Sequence, residues 1–67
     1  MNETLRSEAD SLDESAERLA DLSIELLSRG VKGDQESVRV ERELQRARRS
    51  IVKASQILRS ISGESRD

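Results

Sequence analysis

Residues 40–61 read VERELQRARRSIVKASQILRSI, and residues 5–26 read LRSEADSLDESAERLADLSIEL. In the later stretch Val40, Leu44, Ala47, Ile51, Ala54, Leu58 and Ile61 recur at alternating steps of four and three. In the earlier one Leu5, Ala9, Leu12, Ala16, Leu19, Ser23 and Leu26 do the same, with a polar lapse at Ser23. Such steps put side chains along one side of an α-helix. Sustained over three heptads, they make a coiled-coil seam. The chain holds no proline and no aromatic residue, and its β-branched residues are few, so strands are disfavoured.

The two seams are separated by RGVKGD, residues 29–34. Gly30 suits the left-handed residue that ends a helix. Asp34 or Ser37 can cap the next helix by accepting from its free N–H groups. The spacing predicts a single domain over residues 1–67: a helix at 3–29, a loop at 30–35, a helix at 36–61 and a frayed tail at 62–67. A loop this short forces neighbouring helices antiparallel. The expected fold is all-α, an antiparallel two-helix hairpin.

The seams are complementary in size. Paired antiparallel, they give layers Ser23/Val40, Leu19/Leu44, Ala16/Ala47, Leu12/Ile51, Ala9/Ala54 and Leu5/Leu58. Large layers alternate with alanine layers, which let helices approach closely. The same register sets Asp13 near Arg48, and Arg29 near Glu36 across the loop.

The apolar content is thin for independent folding. Sixteen large aliphatic residues (eight Leu, four Ile, four Val) serve 67 residues. Each is worth about 1.5–3 kcal/mol when fully buried, against roughly 1.5 kcal/mol of ordering entropy per residue. Chains this short usually rely on disulfides, a metal or a partner. With no Cys there is no disulfide or thiolate site, and with no His the commonest metal ligand and general base is absent. No cofactor or metal is expected. Ala20, Leu22, Ile24 and Leu27 lie off the first seam, and Val38, Val52 and Ile57 off the second. One hairpin cannot cover these, so they form the expected oligomer interface of a homodimer closing into a four-helix bundle.

Charge divides between the helices. Residues 1–29 hold eight acids and three bases, net −5, whereas residues 36–61 hold three acids and seven bases, net +4. Opposite charge favours antiparallel pairing within and between hairpins. Arg39, Arg42, Arg46, Arg49 and Lys53 step by three and four along one side of the second helix, over about 20 Å. Such a stripe can meet phosphates or carboxylates, though no aromatic interleaves to stack bases.

Catalytic patterns are missing. The carboxylate pairs Asp10/Glu14, Asp13/Glu17, Glu14/Asp21 and Asp21/Glu25 sit on an acidic helix with no apolar pocket to raise a pKa. The eleven Ser have no neighbouring base, and Gly30-Val31-Lys32-Gly33 is too short for a phosphate loop. No apolar run approaches the roughly 20 residues of a membrane span, and no signal-peptide core is present. The expected protein is not an enzyme and is soluble and cytoplasmic.

The small-and-large heptad layering resembles the Rop-type hairpin, which dimerises into a four-helix bundle and binds RNA. Residues 47–55, ARRSIVKAS, are similar to the second helix of phage hairpin proteins that sequester cyclic oligonucleotides. The resemblance implies a ligand class for the basic stripe. Two functions are therefore expected. The first is a homo-oligomeric interaction module, a phage, plasmid or bacterial regulator that docks to a protein partner. The alternative is an anion binder for nucleic acid or a signalling nucleotide.

Overall fold

The computed structural model of the chain describes residues 2–63. Helix α1 runs Asn2–Val31 and helix α2 runs Gln35–Ser62, packed against each other as a hairpin. The rod measures 47 Å in length and 17 by 14 Å across. The all-α antiparallel hairpin expected from the two seams is thus present.

The link between the helices is shorter than expected: Lys32, Gly33 and Asp34, in place of residues 30–35. Gly30 does not end α1. The left-handed residue is Gly33, at φ 102°. Its N–H donates to the Gly30 carbonyl at 3.0 Å, and the Asp34 N–H donates to the Arg29 carbonyl at 3.1 Å. This paired closure satisfies carbonyls that a helix end leaves free. Asp34 then starts α2, its carboxylate accepting from the Ser37 N–H at 3.1 Å and the Ser37 hydroxyl at 2.9 Å. Gly30 lies inside α1 and faces α2: a Cβ there would lie 2.7 Å from Val38 Cγ2.

At the far end Ser62 remains helical, against the expected fraying from residue 62. Its hydroxyl donates to the Arg59 carbonyl at 2.8 Å, and Gly63 caps the helix. Residues 64–67 of the expected tail lie outside the described residues.

The layering differs from the sequence expectation by one residue on α2. The Ser55 hydroxyl, not Ala54, lies on the Ala9 carbonyl at 3.4 Å. Glu41, not Val40, meets Ser23, whose hydroxyl donates to Glu41 Oε2 at 2.8 Å. The same step brings Arg48 inward and leaves Ala47 exposed, so the expected Ala16/Ala47 layer does not form within the hairpin. One residue is about 100° of helix rotation. Ala9, Ala16 and Ser23 on α1 are small and buried, and Ser37, Glu41 and Ser55 are the buried residues of α2. Leu26 is buried at the loop end of the leucine row, and Ser37 in the row of Leu44, Ile51 and Leu58. Ser23, Glu41 and Ser55 carry hydrogen bonds across the contact, and the larger aliphatics other than Leu26 lie half-buried on its flank.

Two expected ion pairs are also replaced. Asp13 pairs with Arg59 rather than Arg48. Arg29 pairs with Glu25 at 2.8 Å, and Glu36 with Arg39 at 2.6 Å, each within its own helix. Neighbours three or four residues apart on one helix are already within reach, which removes the need to cross the loop.

Candidate interaction surfaces

The hydrogen bonds between the helices fall on one side of the hairpin. Gln45 Nε2 donates to Ser23 Oγ at 2.9 Å and to Glu41 Oε2 at 2.8 Å, closing a triangle with the Ser23–Glu41 bond. Bonds from Gln45 and Ser23 hold the Glu41 carboxyl below its ordinary range. Further along, the Ser55 hydroxyl and then the Arg59 guanidinium do the same for Asp13. Arg59 also reaches Asp10 at 2.7 Å. Arg48 is half-buried in this line, donating to Gln45 Oε1 at 3.2 Å, while its buried Nε has no hydrogen-bond partner.

The opposite side of the contact is apolar. Leu5, Leu12, Leu19 and Leu26 recur every seven residues on α1, as do Leu44, Ile51 and Leu58 on α2. All but Leu26 are only half-buried. Val40, Ala47, Ala54 and Ile61 form a second row of α2 beside them, with Ala47 and Ile61 exposed. Among the described residues no large side chain is fully buried, and the buried apolar residues are Ala9, Ala16 and Leu26.

The residues expected at an oligomer interface are spread around the rod. Ala20 is half-buried, while Leu22, Ile24, Leu27, Val38, Val52 and Ile57 are exposed. Ala20, Ile24 and Leu27 share one side of α1 near the loop, and Val38 lies in the first turn of α2. Leu22 falls beside the leucine row, and Val52 follows Val38 two heptads on, along the hydrogen-bonded side. They do not form one surface. The leucine and isoleucine rows do, half-buried on one side where the heptad spacing predicts an interior. The signal lay in a polar heptad row, Glu41, Arg48, Ser55 and Ser62, one residue after each member of the Val40, Ala47, Ala54, Ile61 row.

All five residues of the basic stripe are exposed on α2. Arg39 is bonded to Glu36, which raises the Arg39 pKa and lowers that of Glu36. Arg46 pairs with Glu43 at 3.1 Å. Arg49 and Lys53 have no ion pair among the described residues; they border two shallow, open depressions, with Arg46 and Ser50 on one side and Val52 and Gln56 on the other. The stripe lies on a single helix, and among the described residues no second element encloses it.

Among the described residues no group of three or more acidic side chains is placed to hold a metal ion. None of the described helices is long and apolar enough to cross a membrane. Comparison with protein-family models, curated proteins and solved structures gives no match to this chain.

Proposed function

We propose that this chain is a self-associating helical-hairpin interaction module. It acts without chemistry of its own, as a phage, plasmid or bacterial regulator that docks to a protein partner in the cytoplasm. The observation that supports this reading is the uncovered apolar surface. Leu5, Leu12, Leu19, Leu44, Ile51 and Leu58 share one side and are only half-buried in the single hairpin, Ile61 in the row beside them is more than half exposed, and no large side chain among the described residues is fully buried. An apolar surface of this extent marks association, and small scaffolds gain their stability that way. Light scattering after size exclusion at micromolar concentration tests it. The expected particle has at least twice the 7.5 kDa chain mass. A fully helical particle of one chain mass overturns the reading.

A second reading takes the basic stripe as an anion-binding surface. It is favoured by Arg49 and Lys53, four residues apart and without ion pairs among the described residues. Labelled RNA, DNA and cyclic oligonucleotides, titrated at low salt, should bind better than about 0.1 mM with a steep salt dependence. The double change Arg46→Glu and Arg49→Glu should abolish binding and keep helicity. Absence of binding by the unaltered chain leaves the stripe a solvated surface.

A further inference from the structure

The side of the hairpin opposite its hydrogen bonds is floored by Leu5, Leu12 and Leu19 from α1 and Leu44, Ile51 and Leu58 from α2, all half-buried. Its footprint follows from the rod, 47 Å long and 17 Å wide. That is roughly 800 Å², the area each partner gives to a standard protein interface. We propose that a second copy of this chain covers this side, face to face, with the two loops at the same end of the resulting four-helix bundle. The proposal rests on the self-associating reading above and gives it a geometry.

Charge selects both the occupant and the orientation. A closed two-fold pair must be self-complementary. Two hairpins can bring like faces together about a two-fold axis in two ways. With the axis across the helices, α1 lies on α1 and α2 on α2. This sets net −5 against net −5 and net +4 against net +4, counted over residues 1–29 and 36–61. With the axis along the helices, each α1 lies on the other chain's α2. Every neighbouring pair is then antiparallel and opposite in charge, as in the hairpin itself. Juxtaposed like charge opposes association and opposite charge steers it, so the second arrangement is the one the chain encodes. Both loops then emerge at one end.

Ala47 gives this geometry a clean probe. It is exposed in the single hairpin, on the row of α2 that flanks the contact with α1. In the face-to-face bundle it meets the other chain. A charge at Ala47 therefore spares the hairpin and strikes the assembly, because an unpaired charge is costly to bury.

The chain has no cysteine, so Lys32→Cys in the exposed loop accepts a single spin label without touching the face. Pulsed electron resonance on the assembled full-length protein should show a separation between labels below about 30 Å, from helices spaced 8–10 Å apart plus the label arms. Loops at opposite ends would lie about 40 Å or more apart, the length of α2. In parallel, Ala47→Glu should raise the dimer dissociation constant at least tenfold with helicity retained. Ile24→Ser, on the other side of the rod, should leave it unchanged. A dimer with the long separation overturns the orientation and leaves self-association standing. A dimer indifferent to Ala47→Glu but dissociated by Ile24→Ser overturns the choice of face. A chain that stays monomeric to 100 μM (a concentration chosen roughly 10⁵-fold above a nanomolar dissociation constant) overturns both this inference and the self-associating reading, even if another protein's helix then binds the face.

Discussion

Gly30 and Gly33 lie three residues apart and serve different ends. Gly33 holds φ 102°, a region costly for residues with a Cβ, and no atom crowds it. Gly30 has ordinary helical geometry but faces Val38 at a distance that a Cβ would close to 2.7 Å. Gly33→Ala should therefore cost roughly 1–2 kcal/mol of stability through backbone strain alone. At Gly30 two effects oppose each other. Alanine gains about 1 kcal/mol of helix propensity, and crowding a stiff valine costs about 1–3 kcal/mol. Gly30→Ala should thus be neutral to destabilising beside Val38 and stabilising in a Val38→Ala background. Denaturant melts of the two singles and the double variant give the coupling directly. Equal effects of Gly30→Ala in both backgrounds would show that Val38 is not what keeps position 30 small.

At the scale of the helices, the pairing is governed by what small residues on α1 admit. Ala9, Ala16 and Ser23 are buried, and against them α2 sets Ser55 and Glu41. Ala16→Leu should cost about 1–3 kcal/mol through overpacking, and Ala20→Leu, half-buried at the edge of the contact, should cost less. Thermal melts that rank the two equally would place α2 elsewhere on α1. Arg48 offers the opposite test. Its buried Nε lacks a partner, and an unsatisfied buried donor costs about 1–3 kcal/mol. Arg48→Met keeps the apolar stem and removes the donor, so the melting temperature should rise. A fall would mean that the bond from Arg48 Nη1 to Gln45 outweighs the unpaired nitrogen.

At the scale of the whole molecule, four carboxylates among the described residues stand below their ordinary range. Asp13, Asp34, Glu36 and Glu41 are each held there first by a hydrogen bond from a side chain: Ser55, Ser37, Arg39 and Gln45 in turn. A depressed folded pKa means that the stability contributed is full above the unfolded carboxylate values, about 3.9–4.3. It is lost as pH falls through the folded values. With no His and no Cys in the chain, the melting temperature should be flat from about pH 5 to 8 and fall below about pH 4. Glu41→Gln should shallow that acid limb by removing one of the four carboxylates. Circular-dichroism melts across this range check both expectations; a melting temperature that rises on acidification to pH 3 would contradict the sign.

The heptad steps at Leu5–Leu26 and Val40–Ile61, the glycine-bearing link and the absence of proline were enough to determine two antiparallel helices. Helix formation and chain reversal depend on local spacing and on which residues can close a helix, and those are written in order along the chain. The basic stripe was legible for the same reason, since residues three and four apart on one helix must share a side. The rotation of α2 was not legible. Val40, Ala47 and Ala54 and the adjoining Glu41, Arg48 and Ser55 differ by one residue in register, and apolar periodicity alone favours the first set. The tertiary structure chose the second, because Ser23 and the Ala9 carbonyl offer hydrogen-bond partners that only Glu41, Gln45 and Ser55 can use. That choice left the leucine and isoleucine rows, apart from Leu26, half-buried along one side of the contact. A two-helix contact has no third wall to cover them, so which surface stays exposed depends on how the helices turn against each other.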